Sequence, residues 1–224
     1  WGNIIAGVDL IRRRTGHSAH ALTAPLLTRA DGTKYGKTAS GEQLWLGAHR
    51  LSAYRFYQGW MQVDDGDVRK LLAQLTMLRL DEVDEVAQEH AERPEQRVGQ
   101  RRLAVELTAL VHGESAARAA EAASAVLFGA SPSDAELATL ETVAAEVPTW
   151  RVSRERLVAG LDAVDALLES ELATSRGDAR RTLDQGGFLA NGSRLAVGTT
   201  LGLDSLLHGR FVLLRRGKDN YRLV

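Results

Sequence analysis

The segment TRADGTKYGKT, Thr28 to Thr38, decides how the rest of the chain is read. Asp31-Gly32 and Gly36 favour turns and positive φ, so the stretch continues neither a helix nor a central strand. Two lysines, Lys34 and Lys37, sit in this loop of glycine, aspartate and threonine. Ammonium groups three residues apart, with hydroxyls at Thr33 and Thr38 and the uncovered backbone of Gly36, make a clamp for a polyphosphate whose charge grows in the transition state. By spacing alone the commoner meaning of such a pair is solvated surface. Context is what separates the two.

KYGKT, preceded by ADGT and followed by Ser40 and Gly41, resembles the signature loop of class I aminoacyl-tRNA synthetases, in the K-F-G-K-[ST] form of the bacterial tyrosyl-tRNA synthetase family. WGNIIAGVDLIRR (Trp1 to Arg13) is similar to the segment that follows that family's tyrosine-binding Asp-Gln. ALTAPLLT (Ala21 to Thr28) resembles its next strand. The similarity continues in family order through YRFYQGW (Tyr54 to Trp60), LVHGE (Leu110 to Glu114), ARRTLDQGG (Ala179 to Gly187) and HGRFVLLRRGKDNY (His208 to Tyr221). Two positions depart from it: Gly47 stands where an aspartate is common, and Ala53 where a proline is usual. The chain opens at Trp1, inside a resembling segment, so it reads as the C-terminal portion of a longer protein. The family's first nucleotide-binding motif and most of its tyrosine pocket would lie upstream.

The resemblance implies a composite α/β plus α plus α+β fold. Residues 1–51 would be the C-terminal part of a Rossmann-like catalytic domain, 52–147 an α-helical domain near the anticodon arm, and 148–224 a small S4-like RNA-binding domain. It also implies activation of tyrosine by ATP, carried with Mg²⁺, and transfer to tRNA(Tyr), by a cytoplasmic enzyme that is a homodimer when intact. Carried over residue by residue, Lys34, Lys37 and Thr38 are the catalytic candidates. ATP would be met by these three together with Leu26, Leu27 and Gly36. The tRNA-binding candidates are Arg176, Arg180, Arg181, Arg194, Arg210, Arg215, Arg216 and Lys218. No metal ligands are implied.

Composition bounds the same picture independently. The 224 residues suffice for one large domain or a few small ones. With 44% hydrophobic and 25% charged residues the chain has the make-up of a soluble globular protein. No apolar run approaches the ~20 residues that span a bilayer. Without cysteine there are no disulfides and no thiolate metal sites. The net charge of −1 conceals segregation: residues 1–62 carry +5, residues 63–148 carry −9 and residues 149–224 carry +3. Counterion release therefore favours polyanions at the two ends.

Along the chain, Ile4, Ile5, Val8, Leu10 and Ile11 have helical spacing, and Arg12, Arg13 and Arg14 precede a Gly16 stop. These arginines either complement the helix dipole or face RNA. Ala21 to Leu27, with Pro25 inside it, reads as an edge strand. From Ser52 to Val147 the periodicity is helical: Tyr54, Tyr57, Trp60 and Met61 share one face, and Val68, Leu71, Leu72, Leu75 and Leu78 another. Aspartates 64, 65 and 67 cap the second helix. A helix begins near Leu80, another spans Glu95 to His112, and an alanine-rich one spans Ala116 to Phe128. Arg97, Arg101 and Arg102 recur at about one turn and either meet RNA or pair with Glu95 and Glu106. Val147 to Ser153, with Pro148, reads as a linker that permits independent motion.

Beyond it come a helix, a second helix opened by Ser175 and bearing arginines, the turn Gly186-Gly187, a hairpin at Asn191-Gly192, and a final strand Phe211 to Leu214. Arg176, Arg180 and Arg181 lie on the first turns of one helix, which aims guanidiniums together at phosphates. Residues 176–222 carry +5. His17 and His20 lack a third ligand for a metal. His112 reads as a helix cap and His208 as a turn residue near the RNA face. A rival from another class is a non-catalytic tRNA-binding module lacking the first half of the active site. A third, an S4-containing RNA-modifying enzyme, is opposed by the KYGKT loop.

Overall fold

A computed structural model describes residues 1–24, 26–29, 32–34, 44–217 and 220–224 of the chain. It divides into two units, Trp1–Gln43 and Leu44–Val224. No helix among the described residues is long and apolar enough to cross a membrane.

In the first unit helix α1 covers Gly2–Thr15. Gly16 stops it with φ 71°, a left-handed conformation that suits glycine, and its N–H bonds the Arg12 carbonyl. Arg12 and Arg13 both pair with Asp9, at 2.6 and 2.7 Å. No residue of α1 is buried. The expected strand at Ala21 to Leu27 is absent among its described residues. A parallel strand exists only within a ladder, and the one pairing among the described residues of this unit is the antiparallel bridge between Thr28 and Lys34.

The second unit begins with a helical layer: α2 (Ala53–Met61), α3 (Val68–Leu75), α4 (Leu80–Glu92), α5 (Val98–His112), α6 (Glu114–Phe128) and α7 (Leu137–Glu146). Ser52 caps α2 by accepting the Arg55 N–H, and Phe56, Tyr57 and Trp60 enter the core. The helix expected from Glu95 starts later, at Val98. Pro94 to Gln96 make a 3₁₀ turn, and Arg97 then takes φ 53°, which breaks the helical path. His112 does end α5, but its ring packs edge-on against Phe56, 5.0 Å between centroids.

The remainder alternates short helices and strands: α8 (Arg154–Ala159), β1 (Leu161–Asp162), α9 (Ala163–Glu169), α10 (Arg176–Asp184), β2 (Phe188–Ala190), β3 (Ser193–Arg194), β4 (Thr200–Leu201), β5 (Leu213–Arg216) and β6 (Asn220–Leu223). Four strands form an antiparallel sheet in the order β3-β2-β5-β6, and β1 pairs with β4. The hairpin between β2 and β3 turns at Asn191 (φ 49°) and Gly192 (φ 84°), the pair that its right-handed twist demands.

Strand alternation gives this sheet two covered faces. Phe188, Ala190 and Leu214 join a core with Leu167, Ala179 and Leu183 from α9 and α10. Leu213, Tyr221 and Leu223 point the other way, into a cluster with Ala123, Val126, Leu127 and Val143 of α6 and α7. The segment read as a mobile linker is stitched to β6: Trp150 N–H bonds the Leu223 carbonyl at 2.8 Å, and Leu223 N–H bonds the Pro148 carbonyl at 3.2 Å. With a shared core on one side and these bonds on the other, the helical layer and the sheet are one packed body.

Candidate nucleotide loop and nucleic-acid face

The lysine loop opens from a tight reversal. Arg29 N–H bonds the Thr33 carbonyl at 2.7 Å, Gly32 N–H returns to the Arg29 carbonyl at 2.9 Å, and Gly32 takes φ 81°. A left-handed φ suits glycine, and the sequence signalled it at Gly32. Lys34 therefore leaves the second arm of a hairpin with its side chain exposed, and Leu26, 63% exposed, precedes the first arm. Gly36, Lys37 and Thr38 lie outside the described residues, as does Lys218.

The arginines of the C-terminal part divide into two groups. Arg176 pairs with Asp165 at 2.5 Å. Arg210 pairs with Glu141 of α7 at 2.8 Å and lies over the Phe211 ring. Arg216 forks onto Asp178, with Nη1 and Nη2 donating to its two oxygens at 2.8 Å each. All three are thus paired with a carboxylate, Arg176 and Arg210 in solvent-exposed ion pairs and Arg216 in a less exposed fork. Arg180, Arg181 and Arg194 are exposed and make no ion pair among the described residues. Arg215 differs again: it shares a sheet face with Arg194, Leu189 and Tyr221, and its buried Nε has no hydrogen-bond partner. That face borders a cleft of ≈ 340 Å³ between the sheet and residues 129–133, lined also by Val126 and Pro132.

Asp178 is the functional neighbour that sequence reading missed. Its carboxyl is held down to about 2, first by the bond from Arg216 and then by the Thr174 N–H. A signal existed: Leu214 and Arg216 are two apart, so in a strand they share a face, and a strand carried on to Arg216 sends that arginine to the α10 side. Ending the strand at Leu214 hid this. Of the other basic candidates, Arg102 pairs with Glu106 at 2.8 Å, and Arg97 donates to the Met61 carbonyl. His208, in a left-handed turn at φ 49°, sets its Nε2 2.8 Å from the Ala135 carbonyl, so it ties the sheet to the helical layer.

The family described as tRNA synthetases class I (W and Y) matches residues 1–129, over half of the chain. The chain belongs to this family. A second match, the tyrosine–tRNA ligase SYY-like C-terminal domain, covers residues 139–224 of this class I synthetase chain. The tyrosine–tRNA ligase of Roseiflexus castenholzii is 44% identical over 226 residues, covering all of this chain and 53% of the relative. That of Mycobacterium tuberculosis is 46% identical over 221 residues, covering 97% of this chain and 51% of the relative. That of Porphyromonas gingivalis is 43% identical over 230 residues, again 100% against 53%. The chain spans about half the length of the curated relatives it matches. Among solved structures, a C-terminally truncated mitochondrial tyrosyl-tRNA synthetase of Coccidioides posadasii aligns with 53% of this chain and 35% of its own, at 30% identity and a TM-score of 0.43.

Proposed function

We propose that the protein acts as a tyrosine–tRNA ligase, activating tyrosine with ATP and transferring it to tRNA(Tyr). The observation that carries this reading is the 44% identity, along the whole chain, to a protein of that name. In the same reading, residues 1–51 contribute to a Rossmann-like catalytic domain, 52–147 form the helical domain beside the anticodon arm, and 148–224 form an S4-like RNA-binding domain. The intact enzyme is a homodimer working in the cytosol.

The chemistry asks little covalent work of the protein. A tyrosine carboxylate oxygen bonds to the α-phosphorus of ATP as the bond to the bridging oxygen breaks, and pyrophosphate leaves with its Mg²⁺. Charge migrates to the leaving group, so preorganised cations there lower the barrier. Lys34 and Lys37 supply them, assisted by the Thr38 hydroxyl and the Gly36 backbone, while the backbone at Leu26 and Leu27 meets the adenine. An exposed Lys34 on a bridged arm supports this role, because an ammonium open to solvent is accessible to a ligand. On the RNA side, Arg180, Arg181 and Arg194 meet phosphates, with Arg215 and Lys218 beside them, whereas Arg176, Arg210 and Arg216 shape the surface.

The test is single-turnover formation of tyrosyl-adenylate by the full-length protein. Lys34→Ala and Lys37→Ala should each slow it about 10²-fold or more, the scale of one lost charge contact. Unchanged rates reject the assignment. Binding of tRNA with no tyrosine-dependent pyrophosphate exchange would favour the non-catalytic reading instead.

A further inference from the structure

We infer that the Asp178–Arg216 pair is a positioning device that sets Arg180 and Arg181 for nucleic-acid phosphates, a role that rests on the tRNA-binding reading above. The pair is the centre of a polar knot joining three segments. From β5, Arg216 Nη1 donates to the Leu172 carbonyl at 2.7 Å and to Asp178 Oδ2, while Nη2 donates to Asp178 Oδ1 and, at 3.4 Å, to Thr182 Oγ. Asp178 Oδ2 also accepts the Thr174 N–H at 3.0 Å and the Thr174 hydroxyl at 3.2 Å. Ser175 Oγ in turn accepts the Asp178 N–H. The approach to α10, its first two turns and the sheet are therefore fastened at one carboxylate.

This fastening matters because α10 is otherwise held by one exposed ion pair, Arg176 to Asp165 of α9, and a small apolar contact. The helix is nine residues long and buries only Ala179 and Leu183. An alanine and a leucine resist sliding and rotation weakly, since the apolar contact they make has no direction. A bidentate guanidinium–carboxylate fork does have direction. Arg180 and Arg181 lie two and three residues beyond Asp178, so any rotation of α10 swings both exposed guanidiniums.

Charge and geometry make opposite predictions here. Asp178→Asn removes a negative charge next to an RNA-binding face, so simple electrostatics expects tighter binding. Positioning expects looser binding. The experiment is fluorescence anisotropy of labelled tRNA(Tyr) with the full-length protein across a salt series, for Asp178→Asn, Arg216→Lys and the double variant Arg180→Ala/Arg181→Ala, with folding checked by circular dichroism. Arg216→Lys keeps the charge and loses the fork, so it carries the test if Asp178→Asn fails to fold. Each of the two should weaken binding roughly tenfold and flatten the salt dependence by about one phosphate contact. If they bind as tightly as the parent or tighter while the double arginine variant is weakened, the positioning role is wrong and the RNA face stands. If the double variant binds like the parent, the RNA face itself is wrong and the positioning role falls with it.

Discussion

Gly99→Ala sets two opposing effects against each other in the helical layer. Gly99 lies in α5, where alanine gains about 0.5–1 kcal/mol because it has less backbone freedom than glycine to lose on folding. The same methyl has nowhere to go: its carbon would land 2.4 Å from Val68 Cγ1 and 3.1 Å from His90 Cγ. Val68 is 1% exposed and His90 4%, so neither can swing into solvent. A valine on the first turn of a helix is also confined to essentially one χ1 rotamer. Relief requires a shift of α3 against α5, and overpacking of this kind costs about 1–3 kcal/mol. The loss outweighs the gain, leaving a net destabilisation of about 1 kcal/mol and a fall in Tm of about 2–4 °C for a chain of this size. Urea denaturation followed by circular dichroism should show a lower midpoint with an unchanged slope. Gly177→Ala is the matched control, because its methyl meets only Ser175 Oγ at 3.9 Å and should stabilise. A Gly99→Ala protein as stable as the parent would refute the packing argument.

Burial, reinforced by Glu146 at Tyr54 and by Glu121 at Tyr57, raises both phenols to about 12. Their neutral forms thus favour the fold below pH 10, and this contribution should drain away between pH 10 and 12 as the unfolded chain ionises first. Urea midpoints measured across that range should fall for the parent and fall less for Tyr54→Phe; equal slopes would count against the assignment. Asp178 titrates in the opposite sense: with its carboxyl held at about 2, its contribution is complete above its ordinary 3.8 and is lost as pH drops from there toward 2. The acid-side loss should be smaller in Asp178→Asn. Tyr221→Phe removes the hydroxyl that donates to the Leu127 carbonyl and should cost about 1 kcal/mol, visible as faster amide exchange at the end of α6 as well as in the melting curve.

Local signals were legible where local physics decides. The helices from Ala53 to Glu146 follow apolar spacing and caps such as Ser52, and Asn191-Gly192 announced its turn through backbone preference alone. What sequence could not show was the choice of partner. Whether Arg176 meets Asp165 or a phosphate depends on α9 lying beside α10, a tertiary fact. Arg210 finds Glu141 from 69 positions away. The strand at Ala21 to Leu27 had the right residues, but a strand is a property of a pair, and its neighbours are not among the described residues. Pro148 marked a break, but the bonds that tie this segment to β6 come from residues 70 and more positions away and left no local signal.

The cluster in which Leu213, Tyr221 and Leu223 cover Val126, Leu127 and Val143 has a consequence for synthesis. Tyr221 meets Leu127 across 94 positions, so the helical layer emerges from the ribosome well before the strands that cover it. During that interval those aliphatic side chains face water and are open to association with other nascent chains. A pause in translation between α7 and β5 would lengthen the hazard, and a chaperone that holds helical hydrophobic surfaces would shorten it.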